Sequence, residues 1–286
     1  MNVVVTGATG FIGRRLTQLL REKGHQVEGI DLRQASGWEA KVEAADAVVN
    51  LAGEPLFGKR WDVLTKSEIH DSRVNTTRKI VEALGRAQKK SPKTRVLVNG
   101  SAIGFYGSTH DELLSEKSPS GSDFLAFVCR EWEEEAQKAQ LQHGVRTVLI
   151  RTGVVLGKNG GALKQMLPPF KIGLGGPIGN GKQWMSWIHL DDICGLIIHA
   201  IENTSVVGPL NGTAPNPVRN IDFTKTLGAV LNRPTILPIP GFGLYVLFGE
   251  SSSILTGGQK VLPEQALQTG YRYKFSSLDQ ALVASV

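Results

Sequence analysis

The first chemistry in this chain is carried by three glycines. Gly7, Gly10 and Gly13 fall in the stretch GATGFIG, spaced G-x-x-G-x-x-G, directly after the apolar run NVVVTG and at the opening of a helix-spaced pattern. Without a Cβ at these positions the backbone can turn tightly, a pyrophosphate can come close, and the helix can pack against the strand. The helix N-terminus then presents unpaired N–H groups to the phosphates. The competing reading is a plain glycine turn. Asp31 follows Gly13 by 18 residues, at the end of the next strand-like run. A carboxylate there holds a ribose hydroxyl and repels a 2′-phosphate, which favours NAD. Arg33, with Arg14 and Arg15 just past the glycines, offers a clamp for that phosphate and favours NADP.

The elements that must position these groups alternate along the first half. NVVVTG, HQVEGID (25–31), DAVVNLAG (46–53), TRVLVNGSA (94–102) and RTVLIRTGVVLG (146–157) read as strands. Between them, Phe11, Ile12, Leu16, Leu19 and Leu20 recur at helical spacing up to Gly24, and a long helical stretch runs through Ile69–Ala87. Strands alternating with helices predict an α/β fold, a Rossmann-type doubly wound parallel sheet covered on both faces. Residues 1–157 form the expected dinucleotide-binding domain. Residues 158–286 form a smaller, mainly helical substrate and lid domain, from which 186–203 returns to the first.

Composition narrows the class. The chain has 286 residues, a net charge of +6 and a pI of about 9.3, which suits phosphate-bearing ligands. The charge is scattered, and its densest run, RAQKKSPKTR, reads as a solvated helix end, so no nucleic-acid partner is expected. Cys129 and Cys194 lie in apolar helical segments and read as buried reduced thiols, as in a reducing compartment. No apolar run approaches a membrane span, and the first residues carry no leader pattern. The expected location is cytoplasmic, or organellar after processing, as in a plastid stroma. No His, Cys, Asp or Glu spacing suggests a metal site.

The G-x-x-G-x-x-G loop, followed in order by DAVVNLAG, NGSAIGFYG and WIHLDDI, resembles the extended short-chain dehydrogenase/reductases, the group of nucleotide-sugar epimerases and dehydratases. The stretches VNLAGEPL, RWD, SRVNTTRKIVEAL, RTGVVLGKNGGAL, PFKIGLGGPIGNGKQWMSWIHLDDI and GGQKVLPEQALQTGYRYKFSSLDQAL narrow the resemblance to an atypical epimerase-family branch with its own C-terminal extension. Plant and cyanobacterial members of that branch are associated with plastid or cell division. The resemblance covers nearly the whole chain, with a shortfall at 32–45.

From that resemblance, Gly7, Thr9, Gly10, Phe11, Ile12 and Gly13 would line the pyrophosphate. Leu51, Ala52 and Gly53 would pass beneath the adenosine side, Asn99, Gly100 and Ser101 would approach the nicotinamide ribose, and Arg151, Thr152 and Val154 would follow the nicotinamide edge. Relatives carry a Ser/Thr-Arg pair at the second strand end and look NADP-directed. This chain reads DLR there, and the expected cofactor is NADP, with NAD as the alternative.

The family also implies a catalytic Tyr-x-x-x-Lys about two dozen residues after Ser101, in which lysine and ribose lower the tyrosine pKa so that it can move a proton. The stretch DFLAFVCREWEEEA (123–136) holds neither residue type. Counting back from Glu135 as the family glutamate puts Phe127 at the tyrosine position and Glu131 at the lysine position. Phenylalanine carries no proton, and glutamate reverses the charge that would depress a neighbouring pKa. Tyr106 in GFYG, facing the substrate cavity, and Glu131 are the candidate substitutes, and Trp132 is expected at the helix–sheet interface.

The polar loop His110, Asp111 and Glu112 stands near the same cavity, and Lys171, Lys182, Gln183 and Trp187 face an unidentified small or anionic ligand between the domains. His189, Asp191 and Asp192 read as a structural tie to the second domain. The sequence therefore supports an NADP(H)-binding epimerase-family protein with weak or no sugar-epimerase activity and a cofactor-sensing or division-related role, with a protein partner possible. The alternative is an active NAD(P)-dependent oxidoreductase or epimerase using Ser101 with Tyr106 or Glu131.

Overall fold

A computed structural model describes every residue except Gln34, Ala35, Phe57, Gly58, Thr94 and His110. The first half runs β1 (Asn2–Thr6), α1 (Phe11–Glu22), β2 (Gln26–Ile30), α2 (Trp38–Ala44), β3 (Ala47–Asn50), α3 (Val63–Lys90) and β4 (Val96–Ala102). A 3₁₀ turn (Ile103–Tyr106), β5 (Leu113–Leu114), α4 (Phe124–His143), β6 (Arg146–Thr152) and β7 (Val154–Leu156) follow. Then come α5 (Gly161–Lys171), β8 (Trp184–Met185), β9 (Trp187–His189), α6 (Leu190–Glu202), β10 (Gly208–Gly212), β11 (Val218–Arg219) and α7 (Asn220–Leu231). The tail holds α8 (Gly241–Phe248), α9 (Ser253–Thr256), β12 (Lys260–Val261), α10 (Glu264–Gln268) and α11 (Leu278–Ser285).

Six strands form one sheet in the order β10-β6-β4-β3-β1-β2, with every neighbouring pair parallel. The period-2 rule of a strand sorts their side chains onto two faces. Val3, Val5, Val49, Val98 and Ile150 pack against α1 and α6, whereas Val4, Val48, Leu97 and Leu149 pack against α2, α3 and α4. Both faces are therefore apolar and covered, as in a doubly wound sheet. The second core, around Leu163, Phe170, Trp187, Phe223 and Leu282, joins α5, α7 and α11.

Two departures from the sequence reading have local causes. The run 146–157 is two strands, because at Gly153 the chain leaves the sheet: a Cβ there would lie 2.4 Å from the Ser186 carbonyl oxygen. β7 then pairs with β9 outside the main sheet. The returning segment is also longer than 186–203, since β10 continues it and closes the sheet edge against β6.

Candidate functional site

At the first strand end the glycines are required sterically. Gly7 sits at φ +65°, and a Cβ on it would stand 2.8 Å from the Leu51 carbonyl oxygen. A Cβ on Gly13 would come within 2.2 Å of the Gly7 carbonyl oxygen. Gly10 caps α1 with no side-chain acceptor, and no acidic residue stands in the helix's first turn. That end of α1 is thus free of competing anions, while Thr9 and Gly10 are exposed. The Phe11 ring turns away from the loop, packing where Cβ atoms on Gly157, Gly160 and Gly161 would meet it at 3.0, 2.2 and 2.7 Å. Only the Phe11 backbone is left for phosphates, and its ring joins the glycine loop to the start of α5.

Beyond β2, Arg33 grips Asp31 through both carboxylate oxygens at 2.7–3.1 Å. The guanidinium holds the Asp31 carboxyl at about 2, so this pair presents a carboxylate already answered by a cation. A cavity of about 370 Å³ opens beside Arg33 between α2 and α3. Arg14 donates to the Thr9 carbonyl at 3.0 Å and stays at the loop. Arg15 does not serve as a phosphate clamp: it is tied to Asp191 at 2.7 Å and joins α1 to α6.

A buried polar ladder runs beneath the strand ends. Thr6 Oγ1 donates to Asn50 Oδ1 at 2.7 Å and accepts the Leu51 and Ala52 N–H groups at 3.1 Å. Asn50 Nδ2 donates to Asn99 Oδ1 and Thr77 Oγ1, and Trp132 Nε1 donates to Thr77 Oγ1 at 2.8 Å. Each member fills another's bonding capacity, so the loop Leu51–Gly53 is held rigidly over the crevice between β1 and β3, where the chain order reverses. Asn99 is wholly buried in this ladder, and its side chain supports the floor. Trp132 covers Gly100, at the helix–sheet interface as expected.

At the end of β4, Ser101 Oγ donates to Glu133 Oε1 at 2.6 Å. Glu133 in turn holds Arg151 through two bonds, 2.9 and 2.8 Å, with both side chains 4% exposed. Arg151 also donates to Tyr106 Oη at 3.0 Å, and Tyr106 donates to Asn211 Oδ1 at 2.6 Å. Arg151 therefore faces α4 and the 3₁₀ turn. Tyr106 is buried, its hydroxyl is engaged as donor and acceptor, and burial pushes its pKa above the ordinary value. It does not face an open cavity, which removes the geometry a proton donor needs.

The face of α4 turned to Ser101 differs from the family count. Phe127 is exposed and stacks on His70 at 5.8 Å, and Glu131 is half-buried. Leu125 packs on Gly104, Cys129 lies against Ser101, and Glu133 follows, so positions 125, 129 and 133 line that face at one-turn intervals. Neither tyrosine nor lysine stands among them. Burial pushes the Cys129 and Cys194 thiols up to about 12, so both are inert at neutral pH.

Among the second-half candidates, Trp187 is fully buried and donates to the Asn216 carbonyl, and Gln183 donates to the Ile178 and Leu255 carbonyls. Both are structural, and Lys171 and Lys182 are exposed. Thr152 returns its hydroxyl to the Ile150 carbonyl at 3.3 Å, and Val154 packs on the second core. His110 lies outside the described residues, and Asp111 accepts from Trp184 Nε1 at 2.9 Å. The tie expected at 189–192 is present: Asp192 accepts the Lys274 and Phe275 N–H groups at 2.7 and 2.9 Å, and the His189 ring lies 3.9 Å from that of Phe275. No group of three or more metal-ligating side chains occurs among the described residues. The sequence reading passed over Glu133 and Asn211; the signal for Glu133 was its place one turn past Cys129 on an apolar helix face.

The profile of the NAD dependent epimerase/dehydratase family matches residues 3–211, and that of a domain of unknown function, DUF1731, matches 239–284. The chain is similar to the Arabidopsis thaliana "Epimerase family protein SDR39U1 homolog, chloroplastic", 46% identical across 99% of this chain and 86% of the relative. It is similar to human epimerase family protein SDR39U1, crystallised with NADPH, at a TM-score of 0.89 and 37% identity over 99% of this chain and 98% of that one. UDP-glucuronic acid 4-epimerase from Bacillus cereus in complex with NAD shares the fold, at a TM-score of 0.79 and 18% identity over 100% and 97%. The chain belongs to the NAD dependent epimerase/dehydratase family, in the branch that carries the DUF1731 tail.

Proposed function

We propose that this protein binds NADP(H) across the β1/β3 crevice and does little or no sugar-epimerase chemistry, its bound cofactor serving as a structural or redox-sensing element. The observation that carries this reading is the α4 face at Ser101, where Leu125, Cys129 and Glu133 stand and no phenol or ammonium is present. The glycine loop fits a pyrophosphate because it leads into the end of α1, where Gly10 caps the helix with no side-chain acceptor and no acidic residue stands in the first turn. When bound, the cofactor would supply a hydride; this chain supplies the cradle, the floor and the water exclusion. Ser101, with its proton on Glu133, presents lone pairs to whatever lies above it, so it accepts a hydrogen bond more readily than it donates one.

Choice of NADP over NAD is supported by Arg33, which neutralises Asp31 and adds a second cationic face, and by the human relative's NADPH complex. Residues 158–186 and the part beyond β10 form the substrate and lid side in this reading. A partner that reads the cofactor's redox state, in organelle or cell division, completes this reading on the strength of the branch resemblance alone. No helix is long and apolar enough to cross a membrane among the described residues.

The test is a thermal-shift titration with NADPH, NADH, NADP and NAD, run beside the absorbance of reduced nicotinamide as carbonyl compounds and UDP-sugars are added. NADPH at a hundredfold over Kd should add about 2.7 kcal/mol, with slow or absent oxidation. Clear oxidation by one compound class would replace this reading with that of an active reductase whose proton comes by way of Ser101 or water. No shift with any dinucleotide would remove the reading altogether.

A further inference from the structure

Helix α8 is apolar along its length, yet none of its residues is buried. Phe242, Tyr245, Val246 and Leu247 are each more than half exposed. The chain leading into α8 adds Ile236 and Leu237, and the chain leaving α5 adds Ile172 and Leu174, again each more than half exposed. These two segments run side by side. Arg233 Nε donates to the Lys171 carbonyl at 2.8 Å, the Ile239 N–H to the Pro177 carbonyl at 2.8 Å, and the Gly179 N–H to the Ile239 carbonyl at 2.9 Å. Single exposed leucines are normal on a protein surface. Here, however, eight of the 18 large apolar side chains exposed among the described residues fall in one place. Together they expose on the order of 1,000 Å², whereas the largest apolar patch of a monomer is about 300–600 Å² and each side of a standard interface buries about 800 Å².

The charges around the patch say what covers it. No charged residue occurs from Ile172 to Gly181, and between Arg233 and Lys260 the one charged residue is Glu250, which Lys66 holds at 2.6 Å. Arg60, beside α8, is spent on the Val246 carbonyl. A helix that lies on an anionic lipid surface carries basic residues on a polar face, and α8 has no basic residue. A charged protein partner would find nothing here to pair with. The surface that fits is one equally apolar and uncharged, and the patch is itself such a surface. A two-fold contact needs projection and recess on the same patch, because each copy meets the other with the same residues. The exposed face of α8 has both. Phe242 and Val246 project one turn apart, and beside them Gly243 leaves open space, with nothing within 4 Å of where a Cβ would stand.

We propose that two copies of this chain associate through α8 and the adjoining 172–174 segment, about a two-fold axis, and bury this patch between them. The test is light scattering on a sizing column and sedimentation velocity across a dilution series. Wild type should run at twice the 30.9 kDa of the chain and dissociate on dilution. Phe242→Asp places an unpaired carboxylate in the contact from both copies and should weaken association about a hundredfold or more. Should it fail to fold, Val246→Asp is read by the same criteria. Leu141→Asp, at an equally exposed apolar residue of α4 outside the patch, should leave the dimer within about twofold of wild type. Wild type that stays monomeric throughout the series overturns the proposal. So does a dimer that survives both patch variants, or one that Leu141→Asp disrupts instead. A wild-type monomer that floats with phosphatidylglycerol vesicles, and no longer does so as Phe242→Asp, would overturn it in favour of a lipid surface.

Discussion

Glu133→Gln tests how the floor of the site is built. The substitution keeps the shape of the side chain and removes its charge, leaving Arg151 buried beside an amide, with both original side chains 4% exposed. Breaking a buried pair by removing one partner costs about 3–5 kcal/mol, because the remaining ion has neither water nor counter-charge. At about 2.1 cal/mol/K of unfolding entropy per residue over 286 residues, that is a fall in Tm of about 5–8 °C. The measurement is thermal and urea unfolding of ligand-free protein, with Glu131→Gln as control. Glu131 is half-buried and makes no ion pair among the described residues, so its substitution should stay within about 0.5 kcal/mol. The double variant Glu133→Gln/Arg151→Met should recover part of the loss by removing the stranded cation. A loss under about 1 kcal/mol for Glu133→Gln would refute the argument that the network is held by charge.

Three further outcomes follow from the same geometry. Arg33→Ala should lower the preference for NADPH over NADH about tenfold, by exposing the Asp31 carboxylate to the 2′-phosphate; paired titrations measure it. Gly10→Asp should abolish the NADPH-dependent thermal shift, since it places an anion at the free end of α1; binding that survives would displace the pyrophosphate from this loop. The share of stability that His189 carries should fall as pH drops from about 6.5 towards 4, whereas losses below 4 belong to carboxylates such as Asp31 and Asp191. Burial holds His189 at about 4, so the unfolded chain takes up that proton first, and protonation would cost the acceptor that Nδ1 offers the Asp191 N–H. Urea midpoints across that range should flatten in His189→Asn, which keeps a capping acceptor.

The sheet was readable because its strands are continuous β-branched runs and its helices repeat every three or four residues. The glycine loop was readable because Gly7 and Gly13 leave no room for another residue. The reacting end was less so. A count along one helix assigns a position, but which face of α4 meets Ser101 depends on how the helix is rotated, and that is decided by Trp132 seated on Gly100 and donating to Thr77. The same rotation turned Phe127 outward. Arg151 and Tyr106 could not be placed because their partners, Glu133 and Asn211, come from α4 and from β10, a strand the sequence reading did not assign to the sheet.

The position of β10 at the sheet edge bears on how the protein is made. A ribosome delivers the chain from its N-terminus, so β6 waits with one edge open until residues 208–212 arrive. Asp192 waits longer still, for the N–H groups of Lys274 and Phe275 near the end of the chain. An open strand edge and an unmet buried carboxylate are features that recruit chaperones and invite edge-to-edge association. The sheet is thus sealed only after about three quarters of the chain has emerged, and a stop codon between β10 and Lys274 would leave a complete sheet with its carboxylate latch unfilled.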